Sequence, residues 1–287
     1  MKLLLLGNTG QLGWELQRTL QPLGVVTALD YPEVDLANAA SLRKKVQEVR
    51  PDVIVNAAAY TAVDKAESES ELAEAINATG PGVLAEEARK LKAVLIHYST
   101  DYVFDGRKGT PYTEKDLPNP LNFYGVSKLH GEQAVQQVSG DYLILRTSWV
   151  YSLRQGGFVN KVMELARQKD TLRMVTDQVG NPTWCRMLAE ITAQILARGS
   201  APIRERPGLY HLAGSGFCSR YDWAKLILEL DHDKNEQRVK QLSPALTVDF
   251  PTPAQRPLFS ALDCTHFLTT FGLQLPDWRA ALRLALG

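Results

Sequence analysis

Cysteine is scarce in this chain, and the three present, Cys185, Cys218 and Cys264, are odd in number and far apart. That pattern excludes a disulfide framework and lacks the paired spacing of a zinc site or redox pair, so reduced thiols in a reducing compartment are expected. Excess charge is missing too, since 32 basic residues meet 32 acidic ones. A balanced chain gives no electrostatic case for nucleic acid or an anionic membrane as partner. No apolar run reaches membrane-spanning length, and the run in MKLLLLGNTG stops at Gly7 and Asn8, too short for a secretory leader. The five histidines, His97, His130, His211, His232 and His266, show no spacing that gathers ligands, so no catalytic metal is expected. A soluble cytoplasmic protein is the expectation.

What the sequence does have is a regular alternation. Apolar runs at 2–6, 25–29, 52–59, 93–99 and 142–148 are separated by helical patterns at 11–20, 38–49, 69–91 and 121–138. Short buried strands alternating with amphipathic helices predict an α/β class, a Rossmann-type doubly wound parallel sheet with right-handed crossovers. Past residue 150 the apolar runs shorten and proline rises, in NPTW, APIRERPG, LSPAL and DFPTPAQRP. At 287 residues a second unit is expected: residues 1–150 form a nucleotide-binding domain, and 151–287 a smaller C-terminal substrate-binding lobe, with parts of 157–185 packing on the first.

Gly7, Gly10 and Gly13 fall between the first strand and first helix, spaced G-x-x-G-x-x-G rather than G-x-G-x-x-G. Their chemistry is the same, because glycine allows a tight turn and lets backbone N–H groups at a helix start approach a pyrophosphate. Asp30 ends the second strand, where a carboxylate hydrogen-bonds an adenosine ribose and repels a 2′-phosphate, favouring NADH over NADPH. Asp35 either caps the following helix or approaches the adenine edge. In PLNFYGVSKLHGE, Tyr124 and Lys128 stand four residues apart, on one helical face. A nearby ammonium favours a phenolate and lowers the phenol's pKa. Tyr221 and Lys225 share the offset, but Tyr221 opens an amphipathic run with Trp223, Leu226, Ile227 and Leu230 and reads as a structural aromatic.

The glycine turn, NAAAYTAVDKAE (56–67), YSTDYVFDG (98–106), NFYGVSK (122–128), RTSWVY (146–151), DQVGNPTW (177–184), GLYHLAG (208–214) and RPLFSALD (256–263) occur in family order. By these motifs the chain resembles the extended short-chain dehydrogenases/reductases and, within them, the dTDP-4-dehydrorhamnose reductase family. The resemblance implies a nucleotide-sugar substrate, NADH or NADPH as cofactor, and hydride transfer to a sugar C4 ketone. It implies Tyr124 as proton donor, Lys128 on the nicotinamide ribose, and Thr100 as the hydroxyl that completes the triad. Asp101 and Trp149 are implied in sugar contact. Gly10, Gln11 and Leu12 are implied at the pyrophosphate, Asp30 at the ribose, Asp35 and Leu36 at the adenine, and Ala59, Tyr60, Thr61 and Tyr98 beside the cofactor. A thymidine diphosphate needs cations, with Arg256 leading and Lys161 and Arg167 behind it. Asn77 matches a family asparagine and serves either the site or helix packing. The family includes magnesium-linked dimers, which puts a homodimer among the expectations, and Glu15 and Glu190 are the glutamates that fit such a link; read alone, isolated helix glutamates are simply solvated. Other readings are a nucleotide-sugar epimerase or dehydratase of the same superfamily, or a non-catalytic cofactor-binding regulator. A dehydratase needs adjacent acids after the fourth strand, where STDY offers one.

Overall fold

The computed structural model describes residues 1–154 and 156–287. Four consecutive leucines, Leu3 to Leu6, are fully buried in β1 (Lys2–Leu6), which requires cover on both faces of the sheet. Successive strand side chains point to opposite faces, so Leu3 and Leu5 enter one apolar layer and Leu4 and Leu6 the other. The remaining strands are β2 (Val25–Leu29), β3 (Val53–Asn56), β4 (Val94–Thr100), β5 (Tyr142–Thr147) and β6 (Gly208–His211). They pair in the order β6-β5-β4-β3-β1-β2, and every pairing is parallel. The chain changes direction at β1, leaving a crevice between the carboxyl ends of β1 and β3, where ligands bind in such sheets.

On one face lie α1 (Gln11–Thr19) and α6 (Cys185–Ala197), burying Leu12, Leu16, Leu188 and Ile195. On the other lie α2 (Ala39–Val49), α3 (Gly80–Leu91) and α4 (Phe123–Val138), through Leu42, Val46, Leu84, Ala88 and Val135. The periodicity over 69–91 predicts one helix. The backbone is indeed helical without interruption from Ser70 to Leu91, with one π-helical turn, Ala75–Thr79, ahead of α3. Pro81, having no N–H to continue the preceding ladder, accounts for the widened turn. Asn122 caps α4 by accepting from the Gly125 N–H at 2.8 Å, which fixes the start of the helix carrying Tyr124 and Lys128.

Beyond residue 150 the chain returns to the sheet: α6 covers α1, and β6 extends the edge beside β5. The division at 150 thus follows composition, while the sheet itself draws on both halves. A separate apolar cluster joins Tyr151, Val159, Trp223, Trp278 and Leu282, from α5 (Gly157–Gln168), α7 (Arg220–Leu230) and α8 (Trp278–Leu286). The three cysteines are free, and among the described residues no helix is long and apolar enough to cross a membrane.

A buried ion pair seats α4 on the sheet. Arg146 of β5 donates to Glu132 of α4 through Nε at 2.8 Å and Nη2 at 2.6 Å, and Ser99 of β4 donates to the same carboxylate at 2.5 Å. Side-chain exposures of 4% and 1% put the pair out of water. Removing one partner of such a pair costs far more than the pair itself contributes, because the other charge stays buried. Glu132→Ala is expected to lower unfolding free energy by about 3–5 kcal/mol, measured by urea denaturation; a loss below 1 kcal/mol would mean that the charge finds water without unfolding.

Candidate active site

The crevice between β1 and β3 opens into a cleft of about 580 Å³, within the range of small-molecule sites. At one end is the glycine turn. Gly7 has φ +82°, and a Cβ there would lie 2.6 Å from the Ala58 nitrogen; a Cβ on Gly13 would lie 1.9 Å from the Gly7 oxygen. Neither position admits a side chain, so β1, α1 and the chain after β3 close around a backbone-lined cradle. Gly10 starts α1 without a side-chain cap, which leaves helix N–H groups for an anion. Gln11 Oε1 is buried with no partner among the described residues. A cradle without side chains, an uncapped helix start and an orphaned polar atom fit a dinucleotide.

Gly7, Gly10, Gln11 and Leu12 line this end of the cleft, as do Asp30, Asp35 and Leu36. Gly13 does not; it closes the turn from behind. Asp30 Oδ2 accepts from the Thr9 N–H and hydroxyl at 3.1 and 2.5 Å, and Oδ1 from the Tyr31 N–H at 2.8 Å. Asp35 accepts from the Ala37 N–H, whereas the cap of α2 is Asn38, accepting from Ser41. Ala59 and Thr61 line the cleft, but the Tyr60 hydroxyl turns away to Glu69. Asn77, in the π-helical turn, grips both backbone polar groups of Tyr60 and donates to Ser127 Oγ at 3.0 Å, tying this loop to α4.

At the other end Thr100, Asp101, Tyr124, Lys128 and Trp149 converge. Lys128 is buried and donates to the Tyr98 carbonyl at 2.6 Å, while His97 Nε2 lies 3.4 Å away. Burial draws the ammonium down to about 8 despite Glu132, and burial with Lys128 keeps His97 far below its ordinary range, hence neutral. Tyr98 also lines the cleft, its hydroxyl bonded to Thr192 at 2.7 Å. The ammonium was expected to lower the phenol of Tyr124. The phenol is instead raised, chiefly by burial, while the Lys128 ammonium donates to the Tyr98 carbonyl. Asp101 is raised to about 6 by burial, opposed by hydrogen bonds from Ser260 and Ser148 at 2.5 and 3.0 Å. Trp149 adopts φ 45°, a conformation disfavoured for a side-chain-bearing residue, and its ring covers Gly180, where a Cβ would lie 2.6 Å from it.

The anticipated phosphate cations are engaged elsewhere. Arg256 holds both oxygens of Asp64, Lys161 pairs with Glu164, and Arg167 serves Asp231, Asp233 and Glu236. Besides Lys128, Arg220 is the cation among the described residues that lines the cleft, and nothing in SRYDW distinguishes it from its neighbours. Tyr221 reaches the Leu242 carbonyl, consistent with its structural reading. Glu15 lies near Arg186 and Glu190 across the α1–α6 contact; among the described residues no three His, Cys, Asp or Glu gather for a metal.

Fold and cleft define a dinucleotide-binding α/β protein with a tyrosine, a lysine and a threonine at the reactive end. The model described as the RmlD substrate binding domain matches residues 1–287. The chain is 43% identical to the dTDP-4-dehydrorhamnose reductase of Escherichia coli (strain K12), covering 100% of this chain and 97% of that one. Among solved structures it is similar to a dTDP-4-dehydrorhamnose reductase from Clostridium acetobutylicum, with TM-score 0.91, 38% identity and coverage of 100% and 98%. It is also similar to one from Bacillus anthracis in complex with NADP, with TM-score 0.90, 34% identity and coverage of 99% and 98%. The chain belongs to the dTDP-4-dehydrorhamnose reductase family.

Lys128 makes stability depend on pH in a defined direction. Its native value of about 8 lies below the ordinary 10.5, so between these values the unfolded chain holds the extra proton and stability rises with pH. The rise from pH 8 to 10 is expected to be up to about 3 kcal/mol larger in the wild type than in Lys128→Met. Urea unfolding of both proteins across that range checks this, and parallel pH profiles would contradict it.

Proposed function

We propose that the chain reduces the C4 ketone of dTDP-4-dehydro-6-deoxy-L-mannose (dTDP-4-dehydrorhamnose) to dTDP-L-rhamnose with NADH or NADPH, in the cytoplasm. One observation carries the reading: the glycine cradle and the Thr100, Tyr124 and Lys128 group face a single cleft, in a chain whose full-length relatives bear that activity in their names.

Gly10, Gln11 and Leu12 would hold the cofactor's pyrophosphate and Lys128 its ribose, and the nicotinamide, when bound, would supply hydride to the ketone carbon. Negative charge then builds on the ketone oxygen, and the Tyr124 phenol donates its proton there. A raised phenol suits this direction, since burial keeps the group protonated at neutral pH until an alkoxide, a much stronger base, forms beside it. Thr100 donates a second hydrogen bond as that charge develops. Lys128, held by the Tyr98 carbonyl, presents its remaining N–H groups to the cofactor ribose. Asp101 and Trp149 shape the sugar pocket, and the segments around 149, 180, 220 and 260 form the substrate side.

A dehydratase reading is disfavoured by Asp101, whose carboxylate already accepts from two serines and has no adjacent acid. A regulatory role predicts no turnover. The test is purified protein with prepared dTDP-4-dehydro-6-deoxy-L-mannose, following nicotinamide absorbance. Tyr124→Phe is expected to keep cofactor affinity while losing turnover by at least about 100-fold, and Lys128→Met to damage both. Equal loss of cofactor binding in the two variants would overturn these roles, and no cofactor oxidation by the wild type would overturn the reaction.

Asp30 generates a separate expectation. Oδ1 has a single donor, which leaves it an acceptor site for a ribose hydroxyl, and its charge opposes a 2′-phosphate. A higher kcat/KM with NADH than with NADPH is expected, and Asp30→Asn should narrow the gap. A strong NADPH preference in the wild type would mean that Asp30 does not face the ribose.

A further inference from the structure

Arg220 opens α7 and lines the reactive end of the cleft. Its guanidinium lies 3.6 Å from the centre of the Trp149 ring, with Phe158 and Trp223 at 4.8 and 5.4 Å. Stacking of this kind occupies the flat face of a guanidinium and leaves its in-plane N–H donors free. Among the described residues the side chain makes no salt bridge or hydrogen bond; Asp101, Tyr102, Cys218 and Arg256 act on it only through their charge. Asp101, the nearby carboxylate, already accepts from Ser148 and Ser260.

Arg256, held by both oxygens of Asp64, adds a positive charge that opposes that of Arg220. A guanidinium that lines a cleft without a counter-ion, opposed by a second positive charge, is unfavourable by itself and favourable against a polyanion. Arg256 is anchored by Asp64, so Arg220 is the cation with donors to give.

We propose that Arg220 binds the diphosphate of the nucleotide-linked sugar and thereby sets how the ketone meets Tyr124. The inference rests on the nucleotide-sugar reading above and adds the residue that selects for the diphosphate. Stacked on Trp149, Arg220 couples phosphate recognition to the ring that shapes the sugar pocket.

The experiment is calorimetric titration of the cofactor-loaded protein with dTDP and, separately, with thymidine. Arg220→Met is expected to weaken dTDP about 10- to 100-fold, with thymidine affinity, cofactor KM and melting temperature unchanged. Arg220→Lys should recover part of the loss, since an ammonium keeps the charge without the fork. Unchanged dTDP affinity with reduced turnover would overturn the proposal and assign Arg220 to Asp101 instead. Equal loss of dTDP and thymidine affinity would overturn it as well, marking collapse of the pocket. Wild-type protein that binds neither probe would remove the nucleotide-sugar reading itself, a failure distinct from that of Arg220.

Discussion

The seating of α4 on β4 is the constraint on which the site depends. One helix face must present Tyr124 to the cleft, deliver Lys128 to the Tyr98 carbonyl one strand residue away from Ser99, and place Glu132 against Arg146 and Ser99. Tyr124, Lys128 and Glu132 recur every four residues, so a single docking angle satisfies all three. The ion pair is deeply buried, and a shift of the helix would leave a charge unpaired away from water. A weaker apolar contact would tolerate sliding. The charged pair fixes the register that the phenol needs, and Asn77 extends the same fixing to the cofactor loop through Ser127 and Tyr60.

Burial at this site has opposite consequences for groups of opposite charge type. It drives Tyr124 and Asp101 upward and Lys128 and His97 downward, so each group is pushed toward its neutral form. The shifts of Lys128 and Asp101, to about 8 and about 6, bring both groups within reach of neutral pH, so that a nearby charge can alter their protonation. The tuning anticipated from a Tyr–Lys pair alone would need the ammonium beside the phenol. The carbonyl of Tyr98 accepts from that ammonium.

Much of the fold was legible because the signal was local. Five-residue apolar runs buried on both faces mark parallel strands, and the glycine turn after β1 marks the cradle. What escaped required partners distant in sequence. β6 is only GLYH, and it becomes a strand by pairing with β5 some sixty residues earlier. The π-helical turn at 75–79 did have a local sign in Gly80-Pro81, which the helical periodicity across it masked. In the site, Tyr124 and Lys128 could be singled out by offset and position, but the state of Lys128 depends on a carbonyl in another strand. Arg220 was invisible for a like reason: nothing in SRYDW reveals that α7 starts beneath Trp149.

The two ends of the cleft are built by different rules, and this bears on how the protein divides its labour. The cofactor end is backbone: glycines and a helix start, nearly all from the first 61 residues. The other end is side chains, Asp101, Trp149 and Arg220, with Ser148 and Ser260 bonded behind Asp101, and they meet because the short strand pair Val150–Tyr151 and Thr183–Trp184 brings the middle of the chain back to β5. Trp149 sits at that junction in a conformation that costs on the order of 1–3 kcal/mol, and it is held there by the Thr183 N–H on its carbonyl and by the space above Gly180. A relaxed backbone would swing the ring out of the cleft and take from Arg220 the surface it stacks on. The strain therefore joins the position of the Trp149 ring to that of Arg220 without involving the glycine cradle, so the side chains at one end of the cleft can change while the backbone at the other stays as it is.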